Sequence, residues 1–243
     1  ENIDLTKERF GLDSRTFLFR REKNMEQSQH LCRLCPRNCR VDRSRQTGFC
    51  KAGDKVKLAR AALHFWEEPC ISGEEGSGTV FFSGCPLQCV FCQNHQISAE
   101  CYGKEISIKR LAEIFLELQN QGANNINLVT GGHFVPQIIQ ALDMVRRDLK
   151  IPVVYNSSGY ETVELVEAAA RFVDVFLPDL KDFSAETAQQ LAGAPDYFPV
   201  AMAAIRAMCQ AKGAPVYDAD GLMQSGTLVR HLILPLRTSE SLR

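Results

Sequence analysis

Charge of one sign is missing from this chain: 28 Lys and Arg stand against 29 Asp and Glu among 243 residues, a net charge of -1. A balance that even offers no overall basic field for nucleic acid or anionic lipid. Long apolar runs are missing too. None approaches the ~18 residues that span a bilayer, and the first 24 residues are charged throughout, without the apolar stretch of a secretory leader. A cytosolic chain without membrane or nucleic-acid partners is the expectation. There is no internal repeat of fixed length and no low-complexity segment. With 45% hydrophobic and 23% charged residues, a disordered or collagen-like chain is excluded and a sizeable core is affordable.

Cysteine, by contrast, is abundant. Of ten cysteines, eight fall between Cys32 and Cys92, and Cys101 and Cys209 follow. A secreted disulfide scaffold is shorter and lacks the long amphipathic segments present here. In a reducing compartment, clustered thiols point to metal. Basic charge is clustered as well, since residues 1–60 carry 15 Lys and Arg against 8 Asp and Glu. This composition boundary suggests three parts: an arm over 1–30, a Cys-rich metal-binding segment and linker over 31–78, and a main domain over 79–243. Two readings of the basic stretch stand side by side: Arg33, Arg37, Arg40 and Lys51 offset the charge of a tetrathiolate site, or the stretch forms a basic docking face.

From Thr79 onward, strands and helices alternate. Thr79–Ser83 reads as a buried strand, and Ser107 caps a helix whose Ile108, Leu111, Phe115 and Leu118 share one face. Further strands read at Asn125–Thr130, Ile151–Tyr155, Val173–Leu177 and Leu228–Leu234. The helices between them run through Val135–Leu149, Glu161–Phe172, Ser184–Ala192 and Phe198–Lys212. Such alternation implies an α/β fold with parallel crossovers, an open sheet or part of a barrel, whose chemistry sits at the carboxyl ends of the strands. No helix follows the fifth strand, so the barrel reads as partial, with its C-terminal end incomplete.

Immediately after the first strand, Cys85, Cys89 and Cys92 stand at C-x3-C-x2-C. Three close thiolates suit an iron–sulfur cluster with one open iron, or a zinc site completed by a histidine such as His95. Cys32, Cys35, Cys39 and Cys50 form a second group, C-x2-C-x3-C-x10-C, on loops broken by Pro36 and Gly48. Four thiols match zinc or an auxiliary cluster. Nothing in the spacing calls for redox work, which puts structural zinc first and an electron relay second. Cys70, Cys101 and Cys209 read as small buried hydrophobes, and His64 as a packing residue. Gly73–Gly78 reads as a flexible link, with Glu74 and Glu75 repelling phosphate.

The run GCPLQCVFCQN, with Phe91 directly before the last cysteine, resembles the cluster loop of the radical S-adenosylmethionine (SAM) superfamily. EEPCISGEEGSGTVFFSGC, NINLVTGGHF, PVVYNSSGYE, VDVFLPDLKDF and GTLVRHLILP are similar, in order, to segments of pyruvate formate-lyase activating enzyme-like proteins. LCPRNC and GFCKAG resemble the branch of that group with an N-terminal Cys-rich segment. The resemblance implies a radical SAM partial β/α barrel in which Cys85, Cys89 and Cys92 ligate a [4Fe-4S] cluster. It also implies reductive cleavage of SAM to a 5'-deoxyadenosyl radical that abstracts hydrogen, and a flavodoxin- or ferredoxin-like electron donor. The implied substrate is a protein or peptide, of the glycyl-radical enzyme kind.

The same resemblance places Gly131 and Gly132 at the SAM amino group, Asn156 and Ser157 near its carboxylate or ribose, and Asp179 and Lys181 facing the cofactor. His133 stands where the family carries a glutamate. It either accepts a hydrogen bond from the SAM ammonium or faces solvent. Arg230 and His231 point to opposite sides of a strand, and the resemblance favours His231 near the adenosyl group. Two alternatives remain open: radical modification of another peptide or a small molecule, and a non-catalytic metal-binding module.

Overall fold

The computed structural model describes residues 31–181 and 184–235; the expected arm over 1–30 lies outside them. Apolar residues at every second position of the strands and every third or fourth of the helices build a mixed α/β architecture around a mostly parallel sheet. Lys57–His64 is β1 and Ser77–Phe82 is β2, with the one-turn helix α1 (Pro69–Ser72) between them. After α2 (His95–Ser98) and β3 (Lys104–Glu105) come α3 (Ile108–Asn120) and β4 (Ile126–Val129). A 3-10 turn at Gly132–Phe134 leads into α4 (Val135–Val145), followed by β5 (Val153–Ser157) and α5 (Val163–Ala169). β6 (Val175–Leu180), α6 (Ala185–Ala192) and α7 (Tyr197–Lys212) precede β7 (Val216–Tyr217), β8 (Met223–Thr227) and β9 (Arg230–His231).

The sheet runs β3-β1-β2-β4-β5-β6-β8-β7, and β9 pairs separately with β6. β2, β4, β5, β6 and β8 are mutually parallel, whereas β1, β3 and β7 are antiparallel additions at the flanks. Serine and threonine caps start three helices: the expected one at Ser107, which accepts from Arg110 N, and two more at Thr162, which accepts from Leu165 N, and Ser184, which accepts from Thr187 N.

Strand alternation separates two faces. Val80, Phe82, Ile126, Leu128, Val153, Tyr155 and Phe176 join α3, α4 and α5 in the main core. Val154, Val175 and Leu177 turn the other way and meet Ile71 and Met223 in a smaller apolar cluster. The inner face also carries Asn127 and Asn156, both buried.

Three expectations are corrected here. The fifth strand is not a continuous Leu228–Leu234 run. Gly226 and Thr227 of β8 pair with Val175 and Phe176, and two residues later Arg230 and His231 pair with Asp179 and Leu180. The polar run Met-Gln-Ser-Gly-Thr hid β8 because it lacks apolar alternation. Gly73–Gly78 is not simply a link either. Ser77 and Gly78 belong to β2, where a Cβ on Gly78 would lie 2.8 Å from the Asn125 carbonyl oxygen, so only glycine fits. Finally, Cys101 is buried as expected, but Cys70 is only half-buried and Cys209 is exposed on α7.

Candidate active site at the carboxyl ends of the strands

The loop leaving β2 starts at Gly84, whose φ of +87° glycine tolerates, and a Cβ there would overlap the Cys50 carbonyl oxygen. Cys85 and Cys89 are buried and Cys92 is half-buried, and none of the three is in a disulfide. The Leu87 amide donates to Cys85 Sγ at 3.4 Å, and Ser98 Oγ donates to Cys92 Sγ at 3.2 Å. Leu87, Tyr160, Ala188 and Tyr197 pack around Cys85 and Cys89, with Phe91 at their edge. His95 lies at the surface and faces the Glu100 carboxylate at 3.4 Å.

Burial pushes the Cys85 thiol up, against backbone hydrogen bonds, and the neighbouring Cys92 adds to the rise. Such a thiol becomes a thiolate once a metal cation replaces its proton. Among the described residues, no three His, Cys, Asp or Glu side chains form a closed ion cage as they stand. The fit to a cluster therefore rests on donor chemistry: three thiols on one loop, none in a disulfide, with an N–H donor aimed at Cys85 Sγ and an O–H donor at Cys92 Sγ.

The other strand ends sort by face. At the end of β4, Thr130 takes the left-handed φ of +56°, a strained setting for a β-branched residue. At Gly131 a Cβ would lie 2.7 Å from Ile138 Cδ1, and at Gly132 it would lie 2.6 Å from Glu161 Oε2. His133 does not face solvent: it is 1% exposed, and its Nε2 lies 2.9 Å from the Ser83 carbonyl oxygen. A carbonyl only accepts, so Nε2 carries the proton, and Nδ1 is left buried without a partner. Burial holds His133 down at about 4, so it is neutral at physiological pH.

Asn156 and Ser157 do not share a site. Asn156 faces inward, where its Oδ1 accepts from Arg230 at 2.6 Å and its Nδ2 lies 3.4 Å from Glu67 Oε2. Ser157 is committed to the helix side, donating to Glu161 Oε1 at 2.8 Å. Tyr155 donates to the same oxygen at 3.2 Å, while Glu161 Oε2 is buried without a partner. Desolvation raises Glu161 to about 7 even against these hydrogen bonds.

Asp179 and Lys181 do meet, with Lys181 Nζ donating to Asp179 Oδ2 at 2.6 Å. Arg230 completes that group: Nε donates to Asp179 Oδ1 at 2.9 Å, and one terminal nitrogen lies 3.4 Å from Glu67 and 3.6 Å from Glu68. His231 is on the other side of β9, exposed, with Nδ1 2.5 Å from the Leu180 carbonyl oxygen. The period of two separates this pair as the sequence requires, and it is Arg230 that joins Asn156 and Asp179. Glu67 and Glu161 had no spacing signal to mark them; a charge partner for Asp179 was the available clue to Arg230.

Cys32, Cys35, Cys39 and Cys50 are also free thiols on a stretch without helix or strand. Burial pushes Cys35 up to about 12, helped by neighbouring Glu161, Cys50 and Cys32. Cys50 is raised as well, with Cys32 and Cys39 among the causes. A Cβ at Gly48 would sit 3.2 Å from Cys39 Sγ and 3.5 Å from Cys50 Sγ, so these sulfurs flank the same glycine. The four sequence-selected thiols are thus electrostatic neighbours in the fold.

A sequence profile described as the radical SAM superfamily matches residues 79–219, from the third residue of β2 to just past β7. The chain belongs to the radical SAM superfamily. Membership implies an enzyme with a [4Fe-4S] cluster and SAM, and the mostly parallel sheet is consistent with the radical SAM partial barrel. An uncharacterized protein of Methanocaldococcus jannaschii is 33% identical over 177 residues, covering 70% of this chain and 51% of that protein. The radical SAM chain thus spans about half the length of the curated relative it matches. Among the described residues, no helix is long and apolar enough to cross a membrane.

Proposed function

We propose that this radical SAM protein is an activating enzyme of the pyruvate formate-lyase activating type, which generates a carbon-centred radical on a protein or peptide, a glycyl-radical enzyme being the first candidate. The observation that carries the reading is the position of the three loop cysteines after β2, none of them in a disulfide, at the same sheet end as the Arg230–Asp179–Lys181–Asn156 group. When bound, the cluster and SAM supply a reductively formed radical able to abstract hydrogen. Cys85, Cys89 and Cys92 hold the cluster in this assignment, and Leu87, Phe91 and Tyr160 keep water from their loop.

The Gly131–Gly132 edge offers backbone groups to the SAM amino end, because neutral, buried His133 brings no charge to it. Asn156, Asp179 and Lys181 hold the polar end of the cofactor, and Arg230 orients two of them. Ser157 and His231, which the resemblance included, act at most through the residues they support. A flavodoxin- or ferredoxin-like protein supplies the electron, in the cytoplasm. At Cys32, Cys35, Cys39 and Cys50 the proposed occupant is structural zinc, with an auxiliary cluster as the alternative.

Electron paramagnetic resonance of the anaerobically reconstituted, reduced protein tests this reading, recorded with and without SAM. A cluster signal whose shape changes on adding SAM is expected, lost in Cys85→Ala. A signal indifferent to SAM, or SAM cleavage at the parent rate in Cys85→Ala, sinks the cofactor assignment. A radical formed on a candidate glycine-bearing partner then decides the substrate.

A further inference from the structure

The four-cysteine segment reaches the site through its arginines. Arg37 spends its donors on three main-chain carbonyls: Nε on Pro86 at 2.7 Å, and the terminal nitrogens on Ala192 at 2.7 Å and Gly193 at 2.5 Å. Pro86 lies in the cysteine loop. Ala192 and Gly193 end α6, where helix carbonyls lack intrahelical partners. The guanidinium also lies 4.0 Å from the centroid of the Phe49 ring and 5.3 Å from that of Tyr160. In the other direction, the Gln88 side chain donates to the Phe49 carbonyl at 2.6 Å, and Gly84 backs onto the Cys50 carbonyl.

Arg43 repeats the device at the next strand end. It is buried, donates to the His133 carbonyl at 2.5 Å and to the Gly53 carbonyl, and lies 5.3 Å from the centroid of the Phe134 ring. Two arginines from one segment therefore grip the loop after β2 and the turn after β4. A guanidinium that binds several carbonyls at once fixes both distance and orientation, which an ammonium cannot do. Between residues 31 and 56 there is no helix or strand to give the segment rigidity of its own. An ion bound by the four clustered thiols would cross-link so irregular a stretch.

We propose that Cys32–Gly53 is a brace that sets the cysteine loop against the Gly131–Gly132 edge, with Arg37 and Arg43 as positioning residues and the four-thiol metal as its lock. The inference rests on the reading that Cys85, Cys89 and Cys92 hold the cluster. It assigns the segment a mechanical role toward that cluster in place of an electron relay.

The test uses Arg37→Ala and Arg37→Lys in the full, metal-loaded chain. Hydrogen exchange is followed over residues 84–92, and resonance spectra of the reduced protein are taken with and without SAM. With the four-thiol metal retained, Arg37→Ala is expected to speed exchange at residues 86–92 on the order of tenfold and to weaken the SAM-induced spectral change. Arg37→Lys keeps the charge but spans fewer carbonyls, so it shifts the same readouts by less. Parent-like exchange and SAM response in Arg37→Ala overturn the brace. If that variant does not fold, parent-like behaviour of Arg37→Lys overturns it instead. A parent protein without any SAM response refutes the proposed function, while the exchange comparison, which uses no SAM, still decides the brace.

Discussion

The two faces of the parallel sheet follow different rules. On the helix side, Val80, Leu128, Tyr155 and Phe176 merge with α3, α4 and α5 into one apolar body. On the inner side the same strands place Asn127, Asn156 and Asp179 beside Glu67, Glu68, Lys181 and Arg230, around a small apolar floor. Burial of apolar surface supplies the stability on one face, and paired charges occupy the other, where the proposed cofactor reading places its polar contacts. The lesson is that residues adjacent in sequence, such as Asn156 and Ser157, belong to different problems.

The largest expected effect breaks the helix-side face alone. Phe115 is 0% exposed in the centre of α3, and Phe115→Ala is expected to cost about 3–5 kcal/mol in denaturant unfolding. The fraction still folded should retain the SAM-dependent spectral change. Loss of that response in folded Phe115→Ala protein would contradict the separation of the two faces.

Glu161 lies where the helix-side face meets the site, and its titration sharpens the boundary. With its folded value raised to about 7, the folded protein keeps a proton that the unfolded chain releases near its ordinary 4.5. Its contribution is therefore intact below pH 4.5 and is lost as pH rises through 7. His133, lowered to about 4, runs oppositely, its contribution being intact above 6.5 and lost as pH falls through 4. Between pH 4.5 and 6.5 the slopes oppose one another and the parent should look nearly flat. Glu161→Gln removes one of them. Relative to the parent, this variant should gain about 3 kcal/mol between pH 4 and pH 8, and its unfolding curves should expose the rising limb of His133. A pH-independent difference would show that Glu161 titrates normally.

Much of this was legible in the sequence. The 3.6-residue spacing of Leu111, Phe115 and Leu118 and the cap at Ser107 located α3, and Gly84 marked the turn into the cysteine loop. What escaped notice were features fixed by distance in space and not by period. β1 carries Arg60 and alternates poorly, and it is a strand because Ala61, Ala62 and Leu63 pair with β2. Arg37 looked like counter-charge for thiolates, yet carbonyl oxygens of Pro86, Ala192 and Gly193 claim it, and 155 or more residues separate it from two of these. Glu67 gained its role from Arg230, 163 positions later. No local pattern encodes such pairs.

The inner face is tested at Arg230. With its side chain 27% exposed, Arg230→Ala is expected to cost only about 1–2 kcal/mol in stability. The larger consequence should be functional: Asn156 and Asp179 lose their shared donor, and SAM should bind on the order of tenfold more weakly. Denaturant unfolding reads the first number, and calorimetric titration of SAM into the reconstituted protein reads the second. An equal, modest loss of stability with unchanged SAM affinity would make Arg230 a structural strut and remove it from the cofactor group.

The smallest expected effect lies one residue further on. His231 shares β9 with Arg230 and differs from it only in facing the other way, exposed and bonded to the Leu180 backbone. His231→Ala should therefore change stability by no more than about 0.5 kcal/mol and leave SAM affinity at the parent value. The two single variants form a matched pair, because neither removes a strand hydrogen bond and both act at the same sheet edge. A large loss in His231→Ala with little in Arg230→Ala would mean that β9 presents its opposite face to the cofactor, and would return the site to the assignment that the family resemblance favours.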